Sequence, residues 1–149
     1  GPLSSKAFKE RSQVFEENYR NFNLEKTCEI ISPGFGFTSG YNATVEIIES
    51  GVLPEIIFSL SDDLALGVLK ALRDNNIKVP EEMQVIGYDD IAMAKYFTPA
   101  LTTIRQDRKR LGEKAAQDLI DNIENQTKIK EEIIRIPVEL VVRETTIEK

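Results

Sequence analysis

The sequence contains no histidine and a single cysteine among its 149 residues. Without histidine, Ser-His-Asp catalysis, Cys-His catalysis and His-ligated zinc are all unavailable. One cysteine cannot close an internal disulfide, which excludes an oxidised, disulfide-stapled scaffold. Cys28 sits in the run Cys28-Glu29-Ile30-Ile31 and reads as a small buried hydrophobe. Long hydrophobic runs are missing too. Those present are short, such as Ile56-Ile57-Phe58 and Val138 to Val142, the latter broken by Glu139. A bilayer-spanning helix needs ~20 apolar residues, so no membrane partner is expected. Excess positive charge is the last absence: 19 Lys+Arg against 25 Asp+Glu leave a net charge of −6. Nucleic-acid binding by this chain alone would need clustered cations. The densest group, Arg105, Arg108, Lys109 and Arg110, encloses Asp107 and reads as a solvated helix face.

What remains is ordinary globular material, 41% hydrophobic and 30% charged, enough for one domain. The pattern alternates between helix and strand. Residues 5–22 carry Phe8, Val14, Phe15, Tyr19 and Phe22 among charges and read as an amphipathic helix. A short strand is expected over Thr27 to Ile31, a loop at Pro33-Gly34-Phe35-Gly36, and a helix over Ser39 to Glu49 ended by Gly51. Glu55 to Leu60 has the pattern of a strand covered on both faces. Ser61 caps the next helix, with Asp62 and Asp63 in its first turn. That helix is apolar nearly all round, from Leu64 to Leu72, so its second face needs a subunit interface or deep burial. Asn75-Asn76 suits its left-handed stop. Met83 to Tyr88 is a buried strand ending at Asp89-Asp90. One helical turn over Ala92 to Tyr96, a strand over Ala100 to Ile104, a helix over 108–124 and an extended stretch from Glu132 to Val142 complete the chain. Such alternation defines an α/β fold, a Rossmann-like, mostly parallel sheet flanked by helices.

Open sheets of this kind bind ligands beyond the carboxyl ends of their strands. Three places qualify: the loop 33–37, the turn Ser61-Asp62-Asp63, and Asp89-Asp90. Carboxylates there suit sugar hydroxyls or nucleobase N–H groups, could hold Mg²⁺, or could serve only as helix caps. Asp89 stands out because it ends a buried strand with a residue of poor strand propensity. Gly34, Gly36 and Gly40 loosely imitate a dinucleotide fingerprint, but the third glycine is displaced and Pro33 interrupts the turn.

An ordered set of blocks then carries a resemblance. It comprises Ile56-Ile57-Phe58, Ser61-Asp62-Asp63-Leu64-Ala65-Leu66-Gly67, Val79-Pro80-Glu81 and Val85-Ile86-Gly87-Tyr88-Asp89-Asp90. It continues with the run from Tyr96 to Asp107, then Leu111-Gly112, Ala115, and the run from Pro137 to Thr146. Together these resemble the C-terminal half of the lactose/galactose-repressor family of bacterial transcription regulators, over essentially the whole chain. The resemblance implies a type I periplasmic-binding-protein-like fold, in which two Rossmann-like subdomains clamp a small effector behind a helix-turn-helix headpiece. On that pattern residues 1–105 form the C-terminal effector-binding subdomain. Residues 106–130 hold a helix belonging to the otherwise missing N-terminal subdomain, and residues 131–149 are the returning strand and tail. The headpiece is expected to be absent. The opening Gly1-Pro2-Leu3-Ser4-Ser5 resembles lactose-repressor sequence at this point, which favours native sequence over a tag. The Leu111/Ala115/Leu119 face is expected to lack its sheet, leaving apolar surface worth roughly 25 cal/mol per Å² unburied, and to find a substitute by dimerisation or rearrangement.

The resemblance also implies site residues. Arg11 matches the effector-binding arginine and Phe35 the aromatic that packs on the effector ring. Asp89 matches the aspartate that accepts from effector hydroxyls or ring N–H groups, and Gln106 matches a hinge-strand position within reach. Ser61 stands where several members carry Asn, a departure that leaves effector identity open; Asp62 matches an acid expected to be structural. The implied protein is a cytoplasmic, homodimeric repressor, not an enzyme, with no cofactor, metal or catalytic residue. Its effector would be a sugar, a sugar phosphate or a purine, and operator DNA would be reached only through the headpiece. Two rivals are a solute receptor for transport or chemotaxis and a Mg²⁺-dependent enzyme of flavodoxin-like plan using Asp62, Asp89 and Asp90.

Overall fold

The computed structural model describes residues 4–21, 31, 34–124 and 133–147. The strand expected over Thr27 to Ile31, with Cys28, lies outside the described residues apart from Ile31. Helix α1 spans Lys6–Asn21 and α2 spans Gly36–Glu49. Strand β1 (Ile56–Phe58) leads into α3 (Asp62–Asp74), and β2 (Gln84–Asp89) is followed by a 3₁₀ turn at Ala92–Lys95. Strand β3 (Thr102–Gln106), α4 (Arg108–Glu124) and β4 (Val138–Val141) close the sequence. The sheet order is β1-β2-β3-β4. The first three strands are parallel, with Phe58 opposite Ile86 and Tyr88 opposite Ile104, while β4 runs antiparallel against β3.

The core lies between this sheet and α3. Leu69, Leu72, Met83, Val85 and Leu101 meet there with Ala65 and Ala94. Ser61 is the N-cap of α3, its hydroxyl oxygen accepting from the Leu64 N–H, and Asp62, Asp63 and Arg73 sit at the ends that the helix dipole favours. Both faces of α3 are covered within the chain, so burial, and not a subunit interface, answers its all-round apolar character. Helix α2 supplies the second cover. Gly40 and Gly67 lie where the two helices cross; a Cβ on Gly40 would meet the Leu64 carbonyl oxygen at 2.2 Å, and one on Gly67 the Phe37 carbonyl oxygen at 2.1 Å. The third glycine of the apparent dinucleotide pattern is therefore a helix-packing residue.

Three expectations need correction. β1 is not covered on both faces: Ile56 is 43% exposed. Among the described residues it pairs with β2 alone. The third strand begins at Thr102, two residues later than Ala100, because Ala100 spends its carbonyl on the Glu144 and Thr145 N–H groups of the final segment. The basic group is not one solvated helix face either. Arg105 lies on β3 and pairs with Asp90 and Glu139, while Arg108 bonds the carbonyls of Asp89 and Asp90.

The final segment is tied down by side chains. Thr145 accepts from the Thr102 N–H at 2.8 Å and donates to the Val85 carbonyl at 2.7 Å. Arg143 donates to the Leu101 carbonyl at 2.7 Å. Helix α4 is tied in this way only at its first residue, Arg108, among the described residues. It contains no buried residue, and Leu111, Leu119, Ile120 and Ile123 are all exposed, so no rearrangement within the described residues covers its apolar stripe.

Candidate functional site

The carboxyl ends of β1, β2 and β3 deliver Ser61, Asp89 and Gln106 to one rim of the sheet. Helix α1 and the turn before α2 deliver Arg11 and Phe35. Arg11 links these groups. Its Nη1 donates to the Leu60 carbonyl at 2.7 Å, and its guanidinium lies 3.7 Å from the centre of the Tyr88 ring. One turn earlier on α1, Phe8 packs edge-on against Phe35 with centroids 5.4 Å apart, 5.7 Å from the same guanidinium. Phe35 itself remains 65% exposed, an aromatic surface at the rim.

Asp89 sits at the centre. Its Oδ1 accepts from Gln106 Nε2 at 2.5 Å. Burial raises its carboxyl above the ordinary aspartate range; the Arg11 charge and the Gln106 hydrogen bond oppose that rise without cancelling it. The result is a partly buried carboxylate with lone pairs to offer, beside a fork of guanidinium donors. A small ring rich in hydroxyl groups satisfies both. Asp89 has φ 121° and Asp90 φ 48°, so two consecutive non-glycine residues occupy the left-handed side of backbone space. Such backbone costs energy and persists only where neighbours over-determine it.

The other two acids are already engaged. Asp62, wholly buried, accepts from Thr103 Oγ1 at 2.5 Å and from the Ile91 N–H at 2.8 Å. It is a structural brace between α3, β3 and the turn after β2. Asp90 accepts from Arg105 Nε and from Arg143 Nη2, each at 2.6 Å. Burial pushes the Asp90 carboxyl upward, but these two arginines outweigh it and hold it below the ordinary range. With both acids spent on protein donors, the three carboxylates do not converge on a shared cation. Among the described residues no group of three or more Cys, Asp or Glu is arranged to hold one.

Four of the five residues singled out from sequence thus come together: Asp89 and Gln106 by a hydrogen bond, Arg11 over the ring of Tyr88 next to Asp89, and Phe35 through Phe8. Ser61 lies next to the carbonyl that Arg11 binds, but its hydroxyl serves the α3 cap. Sequence reasoning missed three contributors. Tyr88 read only as the end of a buried strand, Phe8 as part of an amphipathic face, and Arg108 as a solvated charge. Tyr88 and Phe8 are pairings across 77 and three residues from Arg11 respectively, and only the second spacing was open to inspection.

A fold of parallel strands with a ligand rim at their carboxyl ends and an antiparallel closing strand defines a class of small-molecule receptor domain. The chain belongs to the periplasmic binding protein-like domain family, whose model matches residues 4–146, and within it to the lactose/galactose-repressor type. It is 37% identical over 145 residues to the HTH-type transcriptional repressor PurR of Actinobacillus pleuropneumoniae, covering 96% of this chain and 43% of that one. It superposes on a Lac repressor dimer bound to operator and the anti-inducer ONPF with a TM-score of 0.90 and 27% identity, covering 99% of this chain and 51% of that one. A LacI family regulator from Enterococcus faecium with bound ribose matches at TM-score 0.70 and 36% identity, over 77% of this chain and 42% of that one. The chain therefore spans less than half the length of the curated relative described here.

Proposed function

We propose that this chain is the effector-sensing part of a transcriptional repressor and that its rim binds a small sugar. The observation that carries the reading is the juxtaposition of Arg11, Tyr88, Asp89 and Gln106 at the carboxyl ends of three parallel strands. Asp89 accepts from ring hydroxyls, Arg11 and Gln106 donate to ring oxygens, and the exposed face of Phe35 covers the apolar face of the ring. Ser61 is retained as a further hydroxyl contact once its cap is shared. The ribose-bound relative supports a pentose, and the PurR relative keeps a purine as the alternative. Binding acts by linkage: an effector that favours one arrangement of two subdomains shifts the spacing of DNA-binding headpieces carried by the parent protein. On this reading the parent is a cytoplasmic protein that performs no catalysis, and the Lac repressor dimer neighbour supports a homodimer. Helix α4 belongs on this reading to the companion subdomain, which would cover its apolar stripe.

Calorimetric titration with D-ribose, ribose 5-phosphate and a purine base tests the reading. D-ribose is expected to bind, and Asp89→Asn to weaken it by the worth of a charged hydrogen bond, about 1.5–3 kcal/mol. Equal binding by the variant would overturn the site. The coding sequence upstream separates repressor from transport receptor: a helix-turn-helix supports the first, a secretion signal the second.

A further inference from the structure

Asp89 is held twice by one short piece of chain. Gln106, the last residue of β3, bonds its carboxylate at 2.5 Å. Arg108, the first residue of α4, bonds its carbonyl at 2.6 Å through Nη2, and the same nitrogen lies 3.4 Å from the Asp90 carbonyl. Those two carbonyls belong to the pair of left-handed residues themselves, Asp89 at φ 121° and Asp90 at φ 48°. The Asp90 side chain is fixed from elsewhere, by Arg105 and Arg143, while the Asp90 N–H donates to Thr103 Oγ1 and the Ile91 N–H to Asp62. The turn is thus anchored on its far side to the sheet and the final segment, and on its near side to the first turn of α4. Arg108 therefore has geometry that a solvated helix charge would not need.

We infer that Arg108 is a positioning residue, coupling the orientation of α4 to the placement of the Asp89 carboxylate. A strained turn needs its external bonds to persist. If α4 swings about the β3–α4 junction, Arg108 is carried off the two carbonyls while Gln106 stays with the sheet. The turn then keeps its far-side anchors but loses its near-side bonds, so its positive φ values are held less firmly and the Asp89 carboxylate is placed less precisely at the rim. Read in the other direction, a ligand that fixes Asp89 favours the α4 orientation in which Arg108 reaches it, as linkage requires. This inference rests on the sugar-binding reading for its ligand, but the mechanical part can be measured without one.

The test compares Arg108→Ala, Arg108→Lys and the control Lys109→Ala in the whole protein. Hydrogen exchange is followed by NMR at the Asp90 and Ile91 amides and at the α3 amides of Leu69 to Leu72. Arg108→Ala is expected to speed exchange at Asp90 and Ile91 by about tenfold or more while leaving α3 unchanged. Arg108→Lys keeps the charge but not the fork, so it gives an intermediate rate and remains informative if the alanine variant does not fold. Lys109→Ala changes nothing. D-ribose binding weakens by about tenfold in Arg108→Ala. Exchange at the turn within about twofold of the unsubstituted protein overturns the inference, as does an equal acceleration in α3, which would mark general destabilisation. Faster exchange confined to the turn, with no ribose binding by the unsubstituted protein, supports the coupling and removes only the sugar.

Discussion

Helices α3 and α4 use similar residues to opposite ends. Both carry leucine and alanine at helical spacing, but Leu72 of α3 is 0% exposed and Leu119 of α4 is 54% exposed. Their charges differ in the same sense. α3 has Asp62 and Asp63 at its N-terminus and Arg73 in its last turn, all matched to the helix dipole. α4 has Arg108, Lys109 and Arg110 at its N-terminus, with no acid in its first turn and no base in its last. What holds it locally are the Asp107 carboxylate, which accepts from the Arg110 N–H at 2.9 Å and caps the first turn, and i,i+4 pairs such as Lys109–Glu113 and Lys114–Asp118, worth only a few tenths of a kcal/mol each. A helix built this way depends on tertiary support more than α3 does, and receives less of it within the described residues. Apolar periodicity alone therefore identifies a helix without saying whether its stripe is paired.

The contrast can be broken by substitution. Leu72→Ala empties a fully packed position and should cost about 2–5 kcal/mol in urea unfolding. Gly67→Ala forces a methyl group toward the Phe37 carbonyl oxygen; because that atom is backbone, α2 and α3 must separate, at a cost on the order of 3 kcal/mol. Asp90→Asn weakens bonds from two arginines and should cost about 1.5–3 kcal/mol at neutral pH. It also sharpens the comparison by pH. A carboxyl held below its unfolded value stabilises the fold above the ordinary aspartate range, and that contribution is lost as pH falls through the lowered folded value. The variant should lack that acid-dependent loss. Asp89 has the opposite sign: its raised carboxyl costs stability while ionised, and acidification through the raised value relieves the cost. Unfolding free energies from pH 7 down to pH 3 separate the two neighbours. Leu119→Ala on α4 should change stability by less than about 0.5 kcal/mol in this chain. A loss like that of Leu72→Ala would show that the stripe is covered in solution.

Much of the architecture was legible because it is local. The 108–124 helix was read to its ends, since basic and apolar residues recur at helical spacing from Arg108 to Glu124. The Ser61 cap and the left-handed Asn76 followed from side-chain chemistry within a few residues. The start of α2 was read three residues late, at Ser39, because nothing in Gly36-Phe37-Thr38 signals a cap, and Phe35 makes no side-chain cap bond. The exposure of Ile56 on β1 was hidden because an apolar run does not say how fully each face of its strand is covered.

The candidate site divides along the same line. Residue types at strand ends, and the resemblance of whole blocks, marked Arg11, Phe35, Asp89 and Gln106. What composition and pattern determined was an acidic, histidine-free α/β chain with its polar residues at the carboxyl ends of parallel strands, because propensity, capping and period are properties of neighbours along the chain. Only the tertiary structure decided that Arg11 lies over Tyr88, that Asp62 and Asp90 are consumed as braces while Asp89 keeps acceptor capacity, and that Arg108 grips the turn. Those pairings join residues up to 77 positions apart. Their free energy comes from desolvation and fixed geometry, which exist only once the strands are side by side.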